Sequence, residues 1–192
     1  DAVKQRFTDI TDYFQIDRPF LDSLFDSLDE AIGAVQADNV RVDKDQYLDG
    51  IKPYGEIILS EIAAEVLRRR GVDAQVYRPE SIGIKTDGKF GMAKVMKTSY
   101  KRIAASLKPV LEDPHKEIIV PGVYGVDRYG RYTTFPRGGS DLTGAILANA
   151  MDAELCENWT DTNGIRRADP RIIDNPETIR IMTYMEAREL AF

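Results

Sequence analysis

The sequence has 192 residues, 43% of them apolar and 30% charged, with a formal net charge of -6. That is enough apolar material for one core, and it excludes the basic face that a nucleic-acid partner requires. With a single cysteine, Cys156, and a single histidine, His115, no internal disulfide is possible, and neither a Cys/His metal cluster nor a histidine-based triad is comfortably built. Cys156 is expected to be a small buried hydrophobe, and His115, beside Pro114, a surface loop residue. No apolar run is long enough to span a bilayer, and the charged segment opening at Asp1 does not read as a signal peptide, so a soluble, cytoplasmic protein is expected.

Along the chain, Phe7, Ile10 and Phe14, then Phe20, Leu24, Leu28 and Ile32, recur at helical spacing, with a break near Asp17, Arg18 and Pro19. A longer helix is predicted from about Asp45 or Gly55 through Arg70, with Ile58, Ile62, Val66 and Leu67 on one stripe and Gly71 as its stop. Asp73 to Tyr77 reads as a strand, Ile82 to Val95 as short extended pieces, and Ser99 to Leu111 as a helix. Glu117 to Val120 reads as a buried strand and Arg131 to Phe135 as a short one; a helix from Ser140 to about Met151 and a strand from Leu155 to Trp159 follow. A loop to about Thr183 then leads into a helix. Strands alternating with helices predict a three-layer αβα sandwich with a largely parallel central sheet, formed as a single domain over 1–192. The strands at Glu117 to Val120 and Leu155 to Trp159 are expected at its centre, covered on both faces.

The sharpest local feature is Arg137-Gly138-Gly139-Ser140-Asp141, leaving a strand and entering a helix. Paired glycines let backbone approach a ligand, the first helical N–H groups attract an anion, and the guanidinium fork suits a carboxylate. Such a site fits a zwitterion such as an amino acid, or a phosphate. Read more plainly, Ser140 is an N-cap and Asp141 complements the helix dipole. Thr160-Asp161-Thr162-Asn163-Gly164 and Ala168-Asp169-Pro170-Arg171 form a second polar group after a predicted strand. A third is Tyr54-Gly55-Glu56 at the head of a helix, where Glu56 is either a first-turn acid or a partner for a substrate ammonium.

In their order and spacing, Arg137-Gly-Gly-Ser-Asp141, Thr143, Trp159-Thr160-Asp161, Asn163-Gly164-Ile165 and Ala168-Asp169-Pro170-Arg171 resemble the aspartate kinases of the amino-acid kinase family. Tyr54-Gly-Glu56 and the ending Glu186-Ala-Arg-Glu-Leu-Ala191 are similar to that family too. The resemblance implies the amino-acid kinase fold and transfer of the γ-phosphate of ATP, with Mg²⁺, to the side-chain carboxylate of L-aspartate. That is the first step toward lysine, threonine and methionine, carried out in a homo-oligomer. It also implies that Arg137 grips an aspartate carboxylate, that Ser140 lies in the same pocket, and that Glu56 faces the α-ammonium. Asp141 would orient the lysines that hold the transferring phosphate, while Thr160, Asp161, Arg166 and Arg171 belong to the nucleotide side.

The sequence departs from the family pattern at Arg166, where a tyrosine is common, and at Pro136 and Gly144. The sequence is read as an incomplete catalytic domain, expected to lack the family's opening strand and Lys-Phe-Gly-Gly phosphate loop before Asp1 and the regulatory ACT domains after Phe192. The segment alone is therefore expected to lack activity. The alternatives are another amino-acid kinase, similar to glutamate 5-kinase, and a non-catalytic module that binds an amino acid or nucleotide.

Overall fold

The computed structural model describes residues 2–37, 43–160, 164–169 and 171–190. They form two compact units, Asp1–Cys156 and Glu157–Phe192.

The first unit opens with helices α1 (Ala2–Tyr13), α2 (Arg18–Ala37), α3 (Lys44–Ile51) and α4 (Pro53–Arg69). Their apolar stripes merge into one cluster in which Leu21, Leu28, Ile58 and Ile62 are buried, with Phe7, Ile10, Phe20, Leu24, Ile32 and Val66 packed around them. Phe14 falls just past the end of α1 and stays 36% exposed. The α1–α2 turn is tied to the end of α4, where the Arg69 guanidinium donates to the Gln15 carbonyl at 2.6 Å and to Asp17 at 3.2 Å. The long helix expected after residue 45 is interrupted at Pro53, which has no N–H to continue the ladder. Lys52 nonetheless keeps right-handed helical angles, φ -50 and ψ -41, and donates its N–H to the Leu48 carbonyl at 2.8 Å, so α3 runs into α4.

Strands β1 (Asp73–Val76) and β2 (Lys116–Ile119) pair in parallel. Between them lie α5 (Pro79–Ile82) and α6 (Thr98–Leu111), the long crossover that a parallel pair requires. Strands β3 (Tyr124–Val126) and β4 (Tyr132–Thr134) form an antiparallel hairpin that leads into α7 (Gly139–Met151). Ile82, Ile84, Ile103, Leu107, Phe135 and Ile146 form the core between these elements.

Two strand expectations are corrected. The strand near Glu117 exists, but its residues are exposed or half-buried and β1 is its one partner among the described residues, so it is not a covered central strand. Leu155 to Trp159 is not a strand: no described strand exchanges hydrogen bonds with it, and Leu155 and Trp159 are 72% and 88% exposed. Cys156 lies in the same irregular stretch and is exposed rather than buried. Apolar side chains alone do not make a strand without a neighbouring backbone to pair with.

The second unit contains an antiparallel bridge between Arg166 and Thr178 and a helix, α8 (Tyr184–Leu190). The start of α8 is a reciprocal cap, in which the Thr183 N–H donates to Glu186 at 2.6 Å and the Glu186 N–H donates to the Thr183 hydroxyl at 3.3 Å.

Two carboxylates, Asp49 buried and Glu80 half-buried, set the geometry of the first unit. Asp49, on α3 and fully buried, accepts from the Gly91 N–H and the Thr134 N–H, each at 2.7 Å, and from the Thr134 hydroxyl. One carboxylate thereby joins a helix, a loop and the last residue of β4. Glu80 on α5 accepts from the hydroxyls of Tyr124 at 3.0 Å and Tyr132 at 3.1 Å, whose rings lie 4.9 Å apart. Burial, then the nearby Glu80 carboxylate, push both phenols well above their ordinary value of 10.0.

Asp49→Ala would leave buried N–H groups without an acceptor and is expected to destabilise the protein by roughly 2 to 5 kcal/mol, read from the urea midpoint. A loss below about 0.5 kcal/mol, the level of an ordinary surface change, would show that Asp49 is not the tie described. The raised phenols predict alkaline sensitivity. Their contribution to stability is complete below pH 10 and is lost as pH rises above it, because the unfolded chain ionises first. Each adds a slope of about 1.4 kcal/mol per pH unit in that range. Melts at pH 8 and pH 10.5 should diverge in the native protein and less in the Tyr124→Phe/Tyr132→Phe variant; equal divergence would contradict the assignment.

Candidate functional site

The α3–α4 junction, the residue before β3, and the stretch from the end of β4 into α7 meet around a cleft of about 340 Å³. Lys52, Gly55 and Glu56 come from the first, Val123 from the second, and Thr134 through Gly139 from the third. The Asp49–Thr134 contacts fix the first and third of these against each other.

The floor of the cleft is held in close contact. Gly138 takes the left-handed conformation, φ 78, that starts α7. A Cβ on Gly139 would stand 3.1 Å from the Val123 Cα and 3.3 Å from the Phe135 Cβ, so any other residue there would press α7 a few tenths of an ångström away from its seat. Val123 itself has φ 69, an unusual angle for a β-branched residue. It is clamped on both sides: its N–H donates to the Thr143 hydroxyl at 3.2 Å, and its carbonyl accepts from the Phe135 N–H at 2.8 Å.

The charged groups of the cleft are available. Among the described residues, the side chains of Glu56, Arg137 and Lys52 have no hydrogen-bond or ion-pair partner. The start of α7, with Gly138 and Gly139 on the cleft wall, adds a partial positive charge. A carboxylate, a guanidinium and a helix N-terminus in one cleft suit a ligand carrying both ammonium and carboxylate.

A second cavity, about 490 Å³ beside Asp87, Asp127 and Arg131, differs in this respect. Asp127 accepts from the Tyr129 N–H, the Arg131 N–H and the Arg131 guanidinium, and Asp87 accepts from the Lys89 and Lys94 N–H groups. Burial pushes both carboxyls up, but these donors outweigh it and hold them below their usual range. Its carboxylates are structural.

Of the residues expected from sequence, Glu56 and Arg137 thus line one cleft although they are far apart in the chain. Ser140 and Asp141 lie in the first turn of α7, next to the lining residues but not among them. Gly138, not Ser140, is the N-cap, so the capping role is ruled out for Ser140; its Oγ lies 3.3 Å from where a Gly122 Cβ would stand. Thr160, Arg166 and Arg171 belong to the second unit, and Asp161 lies outside the described residues. Arg171 already grips Asp169, with its Nη2 at 2.7 Å and its Nε at 3.1 Å from the carboxylate oxygens, which lowers the Asp169 pKa. Lys52, Val123 and Thr134 were not singled out from sequence. Lys52 had a visible signal, a cation directly before Pro53-Tyr54-Gly55-Glu56; the angle at Val123 had none. Among the described residues, no group of three His, Cys, Asp or Glu side chains can hold a metal, and no helix is long and apolar enough to cross a membrane.

The amino acid kinase family model matches residues 7–192. The chain is 32% identical over 192 residues to aspartokinase 3 of Bacillus subtilis, covering 100% of this chain and 40% of that protein. It superposes on the crystal structure of Escherichia coli aspartokinase III in complex with aspartate and ADP with a TM-score of 0.78 and 29% identity, over 89% of this chain and 38% of that one. For the Clostridium acetobutylicum aspartate kinase the TM-score is 0.67 and the identity 31%, over 99% and 38% of the two chains. The chain therefore spans about 40% of the length of the curated relative it matches in full. The structures it resembles share the α/β amino-acid kinase fold expected from its sequence. With a family model that covers nearly every residue, the chain belongs to the amino acid kinase family.

Proposed function

We propose that this chain is the acceptor-binding part of an aspartate kinase, which transfers the γ-phosphate of ATP to the side-chain carboxylate of L-aspartate. The observation that carries the reading is the unpaired Glu56 and Arg137 in one cleft, opposite charges set out for the ammonium and a carboxylate of an amino acid. The Escherichia coli relative holds aspartate and ADP in its crystal structure, which supports both substrates.

A carboxylate is already a nucleophile at neutral pH, so the protein needs no general base, only alignment and neutralisation of charge. Arg137 fixes a carboxylate through two parallel hydrogen bonds, and Glu56 accepts from the ammonium. Ser140 supplies a hydroxyl at the edge of the cleft, and Asp141, on the same turn, orients cations that face the phosphate. Thr160, Asp161, Arg166 and Arg171 are the proposed nucleotide side, with Arg171 held in place by Asp169. Mg²⁺ would enter with the triphosphate, whose oxygens supply most of its ligands. The proposed setting is the cytoplasm, in a homo-oligomeric enzyme of amino-acid biosynthesis.

A coupled ADP-release assay on the full-length protein, with ATP, Mg²⁺ and either aspartate or glutamate, tests the reading: turnover with aspartate alone is expected. Turnover with glutamate instead would make it another amino-acid kinase, and binding without turnover a non-catalytic module. Arg137→Lys should raise the KM for aspartate by roughly a hundredfold, on the order of 2 to 3 kcal/mol, because an ammonium cannot form the planar fork. The KM for ATP should hardly change; an equal rise in both would contradict the role of Arg137.

A further inference from the structure

We propose that Lys52 is the counter-charge for the second carboxylate of the acceptor, the one Arg137 does not hold, and so sets the preference for a dicarboxylic amino acid. The inference rests on the acceptor reading above and adds a residue that the sequence motifs do not contain.

Lys52 lines the same cleft as Glu56 and Arg137. It stands one helical turn before Glu56, a spacing at which lysine and glutamate ordinarily meet on a helix face. Yet no ion pair joins them, and neither has another side-chain partner among the described residues. Lysine before glutamate is the weaker order for such a pair, so both groups remain free for a ligand. The backbone of Lys52 is fixed by its bond to Leu48 and by the ring of Pro53, and α3 is tied to β4 through Asp49. The stem thus starts from a rigid point.

The charges complete the argument. Arg137 and Lys52 against Glu56 leave the cleft one positive charge in excess. An acceptor with one ammonium and two carboxylates carries one negative charge in excess. A monocarboxylic amino acid would leave one cation of the cleft unpaired, and replacing either acceptor carboxylate by an amide should lose one contact.

Isothermal titration of the full-length protein with L-aspartate, L-asparagine and L-isoasparagine, using wild type, Lys52→Met and Lys52→Arg, tests this. The exposed position of Lys52 makes both variants compatible with folding. Lys52→Met is expected to weaken L-aspartate by about tenfold to a hundredfold, the range of one charge-assisted contact. It should leave one of the two amides within about threefold, because that amide already lacks the group Lys52 meets, and Lys52→Arg should recover most of the loss. Unchanged aspartate affinity in Lys52→Met would overturn the inference while leaving the acceptor reading intact. Equal weakening of aspartate, both amides and ATP would also overturn it, since that is the mark of a structural role. Failure of wild type to bind L-aspartate would instead bring down the acceptor reading, and this inference with it.

Discussion

The geometry of the first unit depends on one buried carboxylate. Asp49 takes up two backbone N–H groups and a hydroxyl from segments that are distant in sequence, and it does so with no exposure to solvent. In a low-dielectric interior such contacts are strong when satisfied and costly when broken, so the separation between α3 and the end of β4 has little freedom. Lys52 and Glu56 hang from one side of that tie, and Phe135 to Gly139 from the other. The width of the cleft is therefore set by a residue that does not line it.

The two cavities of this unit show how charge is sorted between structure and ligand. Around Asp87 and Asp127 each carboxylate is already met by nearby N–H groups or a guanidinium. Around Glu56, Arg137 and Lys52 the opposite holds: fixed backbones carry side chains whose charges are left open. Charged groups in a partly enclosed cleft are held there by the folding of the rest of the chain, and a complementary ligand gains from groups already in place.

Much of this was legible in the sequence because it is periodic or local. The stripes of Leu28, Ile58 and Ile62 follow helical spacing, and the Arg137-Gly-Gly-Ser-Asp141 run marks a strand-to-helix passage by its glycines. Leu155 to Trp159 was misleading, since its apolar residues carry no record of whether a pairing strand lies beside them. The burial of Asp49 was hidden for a related reason: its partners are Gly91 and Thr134, and no local pattern announces a contact so far along the chain. Lys52 stands in plain view before Pro53-Tyr54-Gly55-Glu56, but only the fold brings it into one cleft with Arg137.

Val123 stores backbone strain at the floor of the cleft. A β-branched residue in the left-handed region is strained by about 1 to 3 kcal/mol, and it persists only because Thr143 and Phe135 hold it from both sides. The strain is thus carried by the folding of α7 and β4 and not by ligand capture. Under the proposed function, stability and activity are set against each other at this position: a glycine would relax the backbone and favour the fold, yet it would free the cleft floor to adopt shapes that no longer match the proposed acceptor. Selection for a more heat-resistant variant should drift toward relaxing this turn, and selection for turnover should keep it tense.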